Sequence, residues 1–129
     1  MIPFYSEVGD AAIGFVLAHE WGHLVQENLG VDFPLTIESE LNADCLAGDF
    51  AAALYDEGLL EGGTGLKPGT DLAEAAEGIF RVGDDPATAW QDPDAHGTGD
   101  ERLQAFATGF DGRAEACADE LGPGFSNRA

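Results

Sequence analysis

Residues 19–23 read His-Glu-Trp-Gly-His and lie within a run of mainly apolar residues. Apolar positions recur there at helical spacing, which predicts one helix from about Val8 to Asn28. The residues assigned to its apolar face are Ile13, Val16, Leu17, Leu24 and Val25. This helix decides the fold, because it carries two histidines four positions apart.

Two imidazoles at this spacing share one helix face, about 5–6 Å apart. Both can therefore reach one Zn²⁺ at about 2.0–2.1 Å, and we expect His19 and His23 to be zinc ligands. Glu20 lies between them, close to the metal but not bound to it, where a general base for a water molecule belongs. A coincidental pair is the alternative, but the chain has only 3 histidines.

A second helix is predicted from Thr36, as N-cap, to about Tyr55. A catalytic zinc site needs a third protein ligand and an open position, and Glu40 is the expected ligand. Asp44 shares its helix face and is expected to accept the second ring N–H of a ligand histidine. The neighbouring residues are largely apolar, and a buried carboxylate needs a partner. Glu38 is the competing ligand, but it lacks an acidic residue four positions on.

The rest of the chain predicts further helices joined by glycine- and proline-rich connections. The predicted elements are a loop over 58–70, a helix that follows Thr70 and ends near Val82, a long loop over 83–97, a helix from Thr98, and a short helix from Ala114 to Leu121. Thr98 and Glu101 have the spacing of a capping box. No convincing strand pattern is present, so we expect a mainly α fold.

His96, in the long loop, has two open interpretations. It can donate a hydrogen bond to the oxyanion that forms when water attacks a carbonyl. It can equally be a surface histidine. Cys45 and Cys117 also leave two possibilities, one disulfide or two buried thiols. Neither belongs to a C-x-x-C pair, which excludes a cysteine-rich zinc site.

Composition limits the possible partners. The chain has 129 residues, enough for a single domain over 1–129, with 25 acidic and 5 basic residues and a net charge of -20. Such a surface repels the phosphates of nucleic acids and anionic membranes, and weakly favours cationic partners. The apolar run 11–18 is shorter than the roughly 20 residues of a membrane span, and no signal peptide is recognisable.

Several segments together resemble the neutral zinc metallopeptidase family of bacteria. They are H-E-x-G-H-x-x-Q at 19–26, E-L-x-A-D-C-x-A-G at 40–48, G-D-D at 83–85, the counterpart of H-G-S-S-E-Q-R at 96–102, and a late cysteine at Cys117. The resemblance implies a zincin-like helical core, His19, His23 and Glu40 as ligands, and Glu20 as the catalytic residue. It also implies a Cys45–Cys117 disulfide, and with it an extracytoplasmic setting.

The chain departs from the family pattern in three places. Gly-Asp-Glu at 99–101 stands where members tend to have Ser-Glu-Gln, and Pro86 replaces an expected arginine. Only about seven residues precede the first helix, so we expect the upstream substrate-binding strands to be missing, as in a C-terminal fragment. Two hypotheses follow: a zinc peptidase acting on a peptide or protein, or a truncated zinc-binding relative serving as a non-catalytic interaction module.

Overall fold

Four α-helices form the part of the protein that the computed structural model describes, residues 10–58 and 71–117. They are α1 (Asp10–Leu29), α2 (Thr36–Asp56), α3 (Asp71–Arg81) and α4 (Gly99–Ala116). Within these ranges there is no strand, only an isolated parallel bridge between Asp84 and Thr98. The predicted mainly α fold is therefore confirmed. The predicted start at Val8 and most of the predicted loop 58–70 lie outside the described residues.

The start of α2 differs from the prediction. Thr36 is the first helical residue, and the N-cap is Leu35, in an extended conformation. Leucine has no side-chain oxygen that could accept a hydrogen bond from the N–H groups of the first turn. The capping hydrogen bond comes instead from a residue within that turn. The Glu38 carboxylate accepts a hydrogen bond from the backbone N–H of Leu35 at 3.0 Å. Glu38 is fully buried in this role, which removes it as the competing metal ligand.

The start of α4 agrees with the prediction. The Thr98 hydroxyl accepts from the Glu101 N–H at 3.2 Å, and the Glu101 carboxylate accepts from the Thr98 N–H at 2.9 Å. Near its other end the helix is kinked at Arg113, whose φ is 65°. Helical structure resumes after the kink, as the separate helix predicted from Ala114 requires, but its predicted last residues, 118–121, lie outside the described chain.

The predicted apolar face of α1 is wrong. Val16, Leu17 and Leu24 are 38%, 67% and 57% exposed, while Val25 is partly buried; the side chain of Ile13 lies outside the description. The buried positions of α1 are instead Phe15, Ala18, His19, Gly22 and Gln26. The reason is that α1 must turn its polar histidine face towards α2, and this rotation carries several large apolar side chains to the surface.

Helix α2 is the centre of the molecule and packs against both α1 and α4. Glycines allow these close approaches. A Cβ on Gly22 would lie 3.0 Å from the backbone oxygen of Ala43, and Cβ atoms on Gly48 and Gly109 would collide with the backbone of Phe106 and Cys45. Gly22 therefore allows α1 and α2 to pack closely. Trp21, its neighbour on α1, is 41% exposed and contacts Phe50.

A disulfide joins Cys45 of α2 to Cys117, just after α4. The two residues are 72 positions apart in sequence, with Cα atoms 5.7 Å apart, and both are buried. Of the two possibilities open from spacing, the structure has the disulfide. None of the described helices has the length and apolar character that crossing a membrane requires.

Candidate metal centre

Three side chains from α1 and α2 converge at the interface between these helices. His19 Nε2 lies 3.1 Å from Glu40 Oε1, and His23 Nε2 lies 3.0 Å from Glu40 Oε2. One potential ligand atom of each residue lies within 4.8 Å of the others. The two predicted histidines and the predicted glutamate are thus brought together. His19 is buried, and His23 and Glu40 are partly buried.

A buried ion pair contacts the Nδ1 atom of His19, on the side of the ring away from Glu40. Its Nδ1 donates to Asp44 Oδ1 at 2.7 Å, and Arg102 of α4 donates to the two oxygens of the same carboxylate at 2.8 Å and 2.9 Å. Asp44 is fully buried and Arg102 nearly so. The carboxylate therefore orients the imidazole while its own charge is compensated by the guanidinium, as a buried charge requires.

His23 has a neutral partner in place of a carboxylate. Its Nδ1 lies 3.0 Å from Gln26 Oε1, one turn further along α1. The Ser39 hydroxyl donates to the same amide oxygen at 2.9 Å. For both histidines the Nδ1 atom is therefore engaged by the protein, and Nε2 is the atom that faces Glu40.

These contacts shift the pKa values of all three residues. Burial alone would lower the pKa of His19, but hydrogen bonds to Asp44 and Glu40 outweigh it and raise the pKa to about 9. The hydrogen bond to Glu40 raises the pKa of His23 against the opposing effect of burial. Burial would raise the pKa of Glu40, yet the two histidines hold it well below its usual range. Without metal, Glu40 is thus an anion between two basic imidazoles.

His96 lies beside this cluster, with Nε2 3.7 Å from Glu40 Oε1. Asp84 positions its loop: one carboxylate oxygen accepts from the backbone N–H groups of His96 and Gly97, at 2.6 Å and 2.8 Å. The His96 side chain is 50% exposed. His96 is thus an exposed residue beside the cluster, and its role as a donor to an oxyanion stays a prediction.

Glu20 is exposed on α1 between the two histidines. Its carboxylate is therefore open to water. The predicted place of Glu20 beside the metal, as a general base, stays a prediction.

The residues fit a zinc ion by the chemistry of their donors. Ligand atoms about 2.0–2.2 Å from a tetrahedral metal lie about 3.3–3.6 Å apart. His19 Nε2 and His23 Nε2 lie 3.1 Å and 3.0 Å from the two different carboxylate oxygens of Glu40, and one potential ligand atom of each residue lies within 4.8 Å of the others. Two imidazoles and one carboxylate with an open side are the ligand set of several zinc hydrolases. Engagement of both Nδ1 atoms leaves both Nε2 atoms available for the metal.

Sequence reasoning missed the roles of Gln26, Arg102 and Asp84. Gln26 lies three residues after His23, a helical spacing that places the two side chains together. Arg102 is one of only 5 basic residues, and its place on the core side of an amphipathic helix signals a buried ion pair. The contact of Asp84 with the His96 backbone joins residues 12 positions apart in a long loop and had no signal in the local sequence.

The fold and the site together define a helical protein with a two-histidine, one-glutamate centre. The model of the family described as "Putative neutral zinc metallopeptidase" matches residues 3–120. The chain belongs to this family.

Two of its relatives are described only as uncharacterized proteins. It is 33% identical over 149 residues to YpfJ of Escherichia coli K12, covering 94% of this chain and 50% of the relative. It is 32% identical over 128 residues to Rv2575 of Mycobacterium tuberculosis H37Rv, covering 83% of this chain and 43% of the relative. The chain thus spans about half the length of the curated relatives it matches. No solved structure matches it.

Proposed function

We propose that this chain is the zinc-binding core of a peptidase, with His19, His23 and Glu40 as metal ligands. The observation that carries the proposal is the convergence of these three side chains within 4.8 Å, on an H-E-x-x-H helix. Family membership supports zinc and a peptidase class. When bound, Zn²⁺ polarises a carbonyl group and lowers the pKa of a water molecule.

The buried side of the centre holds the ligands in place. Asp44 and Arg102 fix the ring of His19, so that its Nε2 faces the centre without rearrangement. Glu40 is held as an anion, because the two histidines keep its pKa low. This arrangement reduces the reorganisation that ligand binding would otherwise require.

The exposed side supplies the proton transfers. Glu20 takes a proton from the attacking water at its carboxylate and returns it to the leaving amine. His96, held at the rim by Asp84, donates a hydrogen bond to the oxygen of the scissile carbonyl as negative charge develops there. Its position 3.7 Å from Glu40 supports this role. The substrate in this proposal is a peptide or protein.

We further propose that the protein works outside the cytoplasm. The Cys45–Cys117 disulfide supports this location, because disulfides persist in oxidising compartments and are rare in the cytosol.

Zinc analysis combined with two kinds of variant tests the proposal. We expect the unmodified protein to retain one zinc per chain after dialysis, and His23→Ala and Glu40→Ala to lose it. Circular dichroism checks that both variants remain helical. Elemental analysis that finds no zinc in the unmodified protein would overturn the metal site.

Glu20→Gln separates catalysis from metal binding. We expect it to keep the zinc and to lose hydrolysis of a mixed fluorogenic peptide library by about 10²–10⁴-fold, the usual contribution of a general base. Glu27→Gln is the matched control, since Glu27 is also an exposed glutamate of α1, and it should cleave like the unmodified protein. Equal cleavage by Glu20→Gln would remove Glu20 from the reaction.

A further inference from the structure

A chain of hydrogen bonds runs from His23 through α2 to the residue after α4. His23 Nδ1 lies 3.0 Å from Gln26 Oε1. Gln26 Nε2 donates to Asn42 Oδ1 at 3.0 Å, and Asn42 Nδ2 donates to the backbone oxygen of Cys117 at 3.2 Å. Gln26 and Asn42 are each only 6% exposed. Two buried amides therefore connect a proposed metal ligand to the disulfide-bonded end of α4.

Backbone carbonyls set the direction of this chain, because a carbonyl oxygen can only accept. The Cys117 oxygen requires the amide nitrogen of Asn42, which turns Asn42 Oδ1 towards Gln26. The Ser39 backbone oxygen accepts from Gln26 Nε2 at 2.9 Å, and this bond also requires the amide nitrogen of Gln26 to point towards α2. Gln26 must therefore present its oxygen, not its nitrogen, to His23.

The direction has a consequence for the imidazole. Gln26 Oε1 cannot donate, so its 3.0 Å contact with Nδ1 is a hydrogen bond only when Nδ1 carries a proton. A neutral His23 that makes this bond therefore keeps its proton on Nδ1. In that tautomer the lone pair is on Nε2. In the metal-free protein the same atom carries a proton and donates to Glu40 at 3.0 Å, and a bound metal ion would take the place of that proton. A reversed amide would place an N–H against Nδ1 and favour the tautomer with no lone pair on Nε2.

We propose that Gln26 and Asn42 are positioning residues that fix the ring orientation and neutral tautomer of His23 for metal binding. The backbone oxygens of Ser39 and Cys117 determine the direction of their amides. This inference rests on the proposed function, because it assigns the amides a role towards the metal. The two histidines then differ in how they are oriented: the Asp44 carboxylate holds His19, whereas the hydrogen-bonded amides hold His23 without adding another buried carboxylate.

Paired substitutions of Gln26 distinguish positioning from a purely structural brace. Gln26→Met and Gln26→Glu both lose the donors to Ser39 and Asn42, so both should lower thermal stability. Only Gln26→Met also loses the acceptor for His23. We expect its zinc Kd, measured by chelator competition, to rise about 10–100-fold, while Gln26→Glu stays within a few-fold of the unmodified protein. Gln104→Met, at an exposed position of α4, controls for the added methionine and should bind zinc normally.

Nitrogen-15 NMR of the zinc-loaded, unmodified protein gives a second measurement that needs no substitution. We expect His23 to bind through Nε2 and to carry a proton on Nδ1. Coordination through Nδ1, or an unchanged zinc Kd in Gln26→Met, overturns the inference while the proposed function stands. An unmodified protein that binds no zinc overturns the proposed function and, with it, the positioning role. The Nδ1–H signal together with selective weakening in Gln26→Met supports the inference.

Discussion

Arg102 is expected to have a large effect on the free energy of unfolding, because the carboxylate that it pairs with is buried. Its guanidinium contacts both oxygens of Asp44, and Asp44 in turn holds His19. Neither charge is solvated, since Asp44 is fully buried and Arg102 is 5% exposed. Taking one partner away leaves the other as an uncompensated charge, which costs far more than the pair itself contributes.

We therefore expect Arg102→Met to lower the free energy of unfolding by about 3–5 kcal/mol, measured by urea denaturation. Arg113→Met is the matched control. Arg113 also bridges carboxylates, Asp49 and Asp56, but in solvent, where ion pairs contribute little. Equal losses in the two variants would contradict a special role for the buried pair.

The raised pKa of His19 predicts a pH dependence of zinc affinity. Below its pKa of about 9 the imidazole of the metal-free protein is protonated, and zinc binding must release that proton. Between pH 7 and about 9, the affinity for zinc should then rise about tenfold per pH unit for each proton that binding releases. Zinc titration by calorimetry in buffers of different ionisation enthalpy measures the release. A Kd independent of pH over this interval would exclude it.

The raised pKa of His19 also affects the stability of the metal-free protein, which should fall as pH rises. A pKa of about 9 when folded, against 6.5 as the ordinary value, contributes stability that is complete below about pH 6.5. This contribution is lost as pH rises through 9. The apo protein should therefore become less stable over the interval in which it gains affinity for zinc, and His19→Asn should lack this loss.

At the scale of the helices, the sequence predicted where each helix lies along the chain better than which of its faces is buried. The extents of α2 and α4 follow from local signals, such as the Thr98 capping box. The buried face of α1 does not, because it depends on the helix opposite. Apolar periodicity pointed to Leu17 and Leu24, whereas tertiary packing buries His19, Gln26 and Gly22. Likewise, the H-E-x-x-H spacing predicted that His19 and His23 lie together, whereas Asn42, which hydrogen-bonds Gln26 from the opposite helix, belongs to no local pattern.

Close helix packing predicts a strong difference between two glycines. A Cβ on Gly109 of α4 would collide with the backbone oxygen of Cys45, while a Cβ on Gly14 of α1 would meet nothing within 4 Å. Gly109→Ala should therefore destabilise the protein by about 1–3 kcal/mol through overpacking. Gly14→Ala should be neutral or stabilise it by up to about 1 kcal/mol. Thermal unfolding of both variants measures this difference. An equal change in Tm for the two variants would contradict the close packing described for α2 and α4.

At the scale of the whole molecule, the net charge of -20 opposes the compact state by self-repulsion. Salt screens exposed charges much more than buried pairs such as Asp44 and Arg102. Raising NaCl from about 20 mM to about 500 mM should therefore raise Tm, measured in the presence of a chelator. KCl at equal ionic strength should act equally, since screening does not depend on the ion. A flat or falling Tm would show that repulsion is not a significant cost.

The disulfide and the proposed zinc ion connect different parts of this fold. Cys45 and Cys117 are the only cysteines in the sequence, so the covalent link ties α2 to the end of α4 and leaves α1 untied. The metal would tie α1 to α2 through His19, His23 and Glu40. If zinc binds as proposed, a chelator would loosen the contact of α1 with α2, and a reducing thiol would loosen the contact of α4 with α2. Helix α2 would then be the element on which both cross-links depend.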